Sequence, residues 1–209
     1  IRKEGPFEGC AEYVFRKTNE KEQTLLDAIE KAEVIQEPFP HLVLEGVDLG
    51  MTLPDDEAYG SLEETRGTSG YEKRRTAKLP SEVSWIKSGQ FCRALERKFN
   101  VKSRSEEAFL LRDKTGYLIN PHTDTPTKSL TALFYLNDSE QGTSLYRHND
   151  ESFKSMDGRH LRRKDFQLVK TIPFKTGTMV AFARTNASFH GVEKFEGAQR
   201  DLLCWCAKR

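Results

Sequence analysis

Apolar positions recur at helical spacing twice in the first hundred residues. Over 19–35, Leu25, Ile29, Ala32 and Ile35 fall on one face, and Asn19 with Glu22 resembles a capping box at the start. Pro38-Phe39-Pro40 ends this helix, and His41-Leu42-Val43-Leu44 reads as a short strand. A second helix is predicted after Pro80, with Ser81 as N-cap and an apolar stripe of Trp85, Cys92, Leu95 and Phe99 that suits packing on a core. Residues 46–80, rich in Gly, charge and turn formers, read as an extended surface segment.

After residue 105 the apolar runs shorten. Ala108–Arg112, Tyr117–Asn120, Ser129–Asn137, Thr143–Tyr146, Leu168–Ile172, Thr178–Arg184, His190–Phe195 and Arg200–Ala207 are short and rich in apolar, β-branched or aromatic residues, with turns between them. Strands at this spacing predict an antiparallel sandwich or jelly roll. The expected fold class is therefore α+β, mainly β. We expect a single domain over 1–209, with a helical and extended N-terminal support over 1–105 and a jelly-roll core over 106–209. The sequence holds no internal repeat and no low-complexity tract.

Composition narrows the function. The chain has 209 residues, 36% hydrophobic and 31% charged, enough for one core with long polar segments. A net charge of +1 gives no global case for nucleic acid or an anionic membrane. No run approaches the roughly 18 apolar residues of a membrane span. No apolar stretch follows the basic residues of Ile1–Pro6, so a signal peptide is not expected there, and a first residue other than Met suggests a trimmed or partly disordered N-terminus. Cys10, Cys92, Cys204 and Cys206 form no C-x-x-C pair, which favours a reducing, cytoplasmic setting. Cys204 and Cys206 alternate with Leu203 and Trp205 and read as buried strand residues rather than metal ligands.

The candidate chemistry lies in the second half. His122 and Asp124 are two apart, so on a strand they would share a face. H-x-D alone is weak, since Pro121 and Pro126 also permit a surface turn. His190 adds a second imidazole at a strand start. Two imidazoles and a carboxylate can occupy one face of Fe(II), leaving three positions for a cosubstrate and O₂. Zinc with bound water is the competing use of such ligands. Strand alternation places Arg200 on one side with Leu202, Cys204 and Cys206, where a guanidinium needs an anion: a protein carboxylate or a bound dicarboxylate. Tyr135 shares a face with Thr131 and Leu133, as a phenol donor to that anion or as a core tyrosine. The basic stretch from Arg147 to Lys164 is either a solvated loop or a lid over an anionic substrate.

Taken together, Arg112–Ala207 resembles the double-stranded β-helix core of the Fe(II)- and 2-oxoglutarate-dependent oxygenases, nearest to the prolyl-hydroxylase-like branch. The resemblance is carried by Gly116–Asp124, Tyr135-Leu136-Asn137, Gly142–Leu145, Ser188–Val192 and Arg200. Pro38-Phe39-Pro40-His41 resembles the entry strand of many members, whose N-terminal helices buttress the sheet. The resemblance implies that His122, Asp124 and His190 bind Fe(II). It implies that Arg200 holds the remote carboxylate of 2-oxoglutarate with help from Tyr135. It also implies that O₂ is reduced while 2-oxoglutarate becomes succinate and CO₂, with hydroxylation of an unactivated C–H bond. Asp124 stands where related halogenases leave room for chloride, which favours hydroxylation. Substrate residues do not carry over. From the basic stretch we expect a small, anionic substrate met by Arg147, Arg162 and Arg163. The same fold also serves protein prolyl-type hydroxylases and nucleic-acid demethylases, although near-neutral charge disfavours a large phosphate footprint. From other classes, a zinc-dependent hydrolase would need neither Arg200 nor Tyr135, and in a non-catalytic jelly-roll binding module the full triad would be an odd relic. The sequence sets no oligomeric state.

Overall fold

The computed structural model describes residues 19–61 and 73–209; Cys10, the Ile1–Pro6 start and 62–72 lie outside the described residues. Helix α1 (Glu20–Lys31) is followed by β1 (His41–Leu44), β2 (Gly60–Ser61), β3 (Arg74–Ala77) and helix α2 (Gln90–Phe99). Then come β4 (Ser105–Lys114), β5 (Ile119–His122), β6 (Lys128–Tyr135), β7 (Thr143–His148), β8 (Phe166–Ile172), β9 (Met179–Ala183), β10 (His190–Val192) and β11 (Gln199–Lys208). They form a major sheet of order β1-β9-β6-β11-β4-β3-β2 and a minor sheet of order β5-β10-β7-β8, antiparallel throughout. This is a mainly β, double-stranded β-helix architecture with two supporting helices.

Strand β11 explains how the layers divide. It is paired on both edges, to β4 and β6. Leu203 and Trp205 point toward the helices, where the Phe91 ring meets Trp205 edge-on at 4.8 Å among Leu25, Ile29 and Leu95. Leu202 and Cys204 point between the sheets, into a cluster with Leu111, Leu145, Phe174 and Phe182. A strand covered on both faces needs apolar residues at nearly every position, hence its unbroken run.

The N-terminal half departs from expectation in three places. Helix α1 stops at Lys31 rather than running to 35: Ala32 is extended, and Ile35 forms a bridge to His41. Asn19 Oδ1 caps the Glu22 amide at 2.7 Å, but the Glu22 carboxylate accepts from Ser88 Oγ at 2.7 Å, tying the helix to the core instead of closing a capping box. The helix expected after Pro80 is a 3-10 turn over Ser81–Lys87 and then α2, with no side-chain cap from Ser81; Gly89, at φ +80°, breaks the path between them. Part of the presumed surface segment 46–80 is β3, which extends the major sheet beside β4. Among the described residues no helix is long and apolar enough to cross a membrane.

Candidate active site

Strand β5 ends at His122, which lies directly across from His190 at the start of β10. Cross-strand neighbours project to the same side, and the two rings lie 4.3 Å apart. Asp124 reaches them by a route that strand alternation does not describe. It follows the end of β5 and adopts φ +63°, a left-handed conformation that aspartate tolerates better than most residues. That turn brings its carboxylate back under the imidazoles. Asp124 Oδ1 is 3.9 Å from His122 Nε2, and Oδ2 is 3.7 Å from His190 Nε2. One donor atom from each residue lies within 4.8 Å of the others, and all three residues are buried.

Hydrogen bonds fix the donor atoms. His122 Nδ1–H donates to the Asn120 carbonyl and His190 Nδ1–H to the Ser188 carbonyl, each at 3.0 Å. This leaves each Nε2 lone pair facing the shared space. Burial lowers the pKa of both imidazoles and keeps them in the neutral, ligating form. Burial alone would raise the Asp124 carboxyl, but Lys128 beside it holds it well below the usual carboxylate range. Lys128 Nζ donates to Oδ1 at 2.9 Å and Thr131 Oγ1 to Oδ2 at 2.9 Å. A carboxylate offers about four lone pairs, so both bonds are compatible with a metal ligand. Two neutral nitrogens and an ionised carboxylate on one side of a small space fit a divalent cation of the Fe(II) class.

Lys128 was not a sequence candidate, because i, i+4 spacing carries no meaning across a turn. It has a measurable role: in metal-free protein it is the cation on Asp124. We expect Lys128→Met to destabilise the metal-free protein by about 2 kcal/mol, the worth of the one charge-assisted hydrogen bond that the carboxylate loses. A divalent cation should recover part of that loss by taking over the charge. Denaturant melts with and without metal test this, and identical metal-free curves for parent and variant would refute it.

The same cavity extends from the triad to Arg200, past Thr131, Leu202 and Cys204. Arg200 is 1% exposed. Its Nη1 donates to the Gln141 carbonyl at 2.5 Å and its Nη2 to Asp113 Oδ2 at 2.9 Å, while the guanidinium lies 4.8 Å from the Phe174 ring centre. Its Nε is buried without a hydrogen-bond partner. An unsatisfied buried donor on a guanidinium is costly, and Arg200 lines the cavity, where an entering carboxylate would meet the guanidinium. The residues present therefore fit a ligand that is anionic at its far end.

The stretch from Arg147 to Lys164 folds back on the metal-side residues. The Leu161 amide donates to the Pro121 carbonyl at 2.9 Å, and the half-buried His160 ring sits 4.8 Å from His122. Gly158, at φ +69°, passes so close to Asp124 that a Cβ there would lie 2.0 Å from its carbonyl oxygen. Arg184 anchors the loop by donating to the Ser155 and Met156 carbonyls, both at 3.2 Å. The cations named from sequence engage acids: Arg147 pairs with Glu37, Arg162 with Asp165 at 3.3 Å, and Arg163 with Glu193 at 2.6 Å. None of the three lines the cavity shared by the triad and Arg200.

No protein-family profile matches the sequence, and no curated protein matches it. Solved structures do. HygX from Streptomyces hygroscopicus, solved with nickel and 2-oxoglutarate bound, is 12% identical, with a TM-score of 0.51 over 91% of this chain and 87% of that one. A prolyl hydroxylase from Trichoplax adhaerens, solved with a hypoxia inducible factor peptide, is 14% identical, with a TM-score of 0.51 over 72% and 71%. The chain shares the double-stranded β-helix fold of these two proteins.

Within this fold, Tyr135 occupies the middle of the sandwich. Its ring stacks on Phe174 at 4.1 Å. Its hydroxyl donates to Thr143 Oγ1 at 2.7 Å and accepts from the Thr143 amide at 3.0 Å. Thr143 lines the cavity shared by the triad and Arg200 whereas Tyr135 does not, so the phenol bears on that cavity through Thr143. Tyr135→Phe is expected to weaken 2-oxoglutarate binding by about 1 kcal/mol, the worth of one neutral hydrogen bond. A titration showing unchanged affinity would leave Tyr135 as core packing.

Proposed function

We propose that this protein is a 2-oxoglutarate-dependent non-haem iron dioxygenase that hydroxylates an unactivated C–H bond of a small, anionic substrate, with release of succinate and CO₂. The observation that carries this reading is the sharing of one cavity by the His122–Asp124–His190 cluster and Arg200 with its unsatisfied Nε. A hydrolase would need the ligand cluster but not the buried guanidinium. When bound, Fe(II) with the 2-oxo acid would activate O₂, the oxidant, one oxygen atom of which would go to succinate and the other to the hydroxylated product.

The protein's part is placement. His122, Asp124 and His190 would hold the ion from one side. Arg200 would hold the remote carboxylate, with Tyr135 and Thr143 alongside. The loop carrying Gly158, His160 and Leu161 would close the metal side against water. Asp124 fills a ligand position, which supports hydroxylation over halogenation. Free Cys92, Cys204 and Cys206 are in keeping with a reducing, cytoplasmic setting.

The anionic character of the substrate is proposed from the loop 147–164, which holds six Lys or Arg against three Asp or Glu. Arg147, Arg162 and Arg163 are balanced by Glu37, Asp165 and Glu193 outside the loop, so they would meet an anionic substrate only by exchanging those acids for it. Reversing the charge of Arg162 and Arg163 together should lower substrate-stimulated turnover at low salt and leave 2-oxoglutarate affinity unchanged. Equal turnover would return the loop to a solvated surface. The general test is succinate release from 2-oxoglutarate, dependent on Fe(II) and stimulated by members of a panel of small carboxylates and phosphate esters. Absence of any Fe(II)-dependent succinate, even uncoupled, would refute the dioxygenase assignment.

A further inference from the structure

We infer that Arg74, on β3, forms the second half of a two-guanidinium seat for the remote carboxylate of the 2-oxo acid cosubstrate, with Asp113 as the strut that spaces it from Arg200. The inference rests on the dioxygenase reading above.

Register places the three residues in a row. Asp113 on β4 lies opposite Arg74 on β3 and, on its other side, opposite Arg200 on β11. Residues opposite one another on adjacent strands project to the same face, and here that face borders the cavity lined by Arg74, Arg200, His122, Asp124 and His190. Asp113 is fully buried. Arg74 grips it with both tines of its fork, Nε to Oδ1 at 2.5 Å and Nη2 to Oδ2 at 2.9 Å. Arg200 takes Oδ2 from the other side at 2.9 Å.

Two consequences follow from this arrangement. The first is charge. Among these three groups two guanidiniums and one carboxylate leave one positive charge, a match for one incoming carboxylate. Without Arg74, Asp113 would cancel Arg200, and the cavity would offer an anion a polar but uncharged end. The second is rigidity. Arg74 stands 4.4 Å and Arg200 5.8 Å from the centre of the same Tyr117 ring, and Arg200 also packs on Phe174 and Phe195. Planar groups held by a shared carboxylate and by aromatic faces lose little further freedom when an anion arrives.

The test compares two 2-oxo acids that chelate a metal alike but differ at the far end. 2-Oxoglutarate has a remote carboxylate; 2-oxobutyrate has none. Isothermal titration of Ni(II)-loaded protein with each gives affinities independent of turnover. We expect Arg74→Met to weaken 2-oxoglutarate roughly tenfold or more, the scale of one charge-assisted hydrogen bond, and to leave 2-oxobutyrate within about twofold. Arg74→Lys keeps the charge but not the fork, and should show a smaller loss in the same selectivity. This conservative variant carries the test if the Met variant does not fold. A ratio of 2-oxoglutarate to 2-oxobutyrate affinity that matches the parent in the folded variant overturns the seat. A parent protein that fails to prefer 2-oxoglutarate overturns the dioxygenase reading instead, so the two failures are distinct.

Discussion

His190→Ala protein is expected to retain no Fe(II) after desalting and to release no succinate. The variant removes one of three donors from the cluster. Even losses in the shell behind metal ligands cost about 10- to 100-fold in affinity, and a direct ligand should cost more. The imidazole also packs 4.5 Å from the Phe182 ring and 4.3 Å from His122, so truncation leaves a small void and a modest drop in stability. Circular dichroism and a melting curve separate the two effects: a folded variant without iron is the expected result. A folded variant that keeps stoichiometric iron would mean that the ion sits elsewhere.

Arg200→Lys should raise the requirement for 2-oxoglutarate sharply while leaving metal binding intact. The parent guanidinium does several things at once. It donates to the Gln141 carbonyl, pairs with Asp113, lines the cavity and keeps a buried Nε without a partner. An ammonium on a flexible stem can keep one or two of these contacts but not a planar fork. Losing one charge-assisted bond costs about 1.5–3 kcal/mol, or roughly a 10- to 100-fold weaker cosubstrate. Binding of 2-oxobutyrate should change little. An unaltered 2-oxoglutarate dependence would refute the role given to Arg200 and, with it, the main distinction from a zinc hydrolase.

The sequence alone determined the strand-rich second half, because periods of two and runs covered on both faces are local signatures that survive without knowledge of partners. The unbroken apolar stretch at 202–207 is one case, since β11 is covered by helices on one side and by the minor sheet on the other. The residue types His122, Asp124, His190 and Arg200 were also legible, because few reactions call for that combination. The manner of their meeting was not. His122 and His190 meet through pairing of β5 with β10, a contact between residues 68 positions apart, and Asp124 joins them by a left-handed turn rather than by strand alternation.

Only the tertiary structure decided which charges line the cavity. Lys128 lies beyond a turn from the carboxylate it grips, and Arg74 lies in a segment whose composition reads as surface. Arg162 and Arg163, prominent in the sequence as a basic run, pair with Asp165 and Glu193. Charge along a chain is a local property, whereas the field in a buried site depends on which carboxylates lie opposite, and register across β3, β4 and β11 sets that.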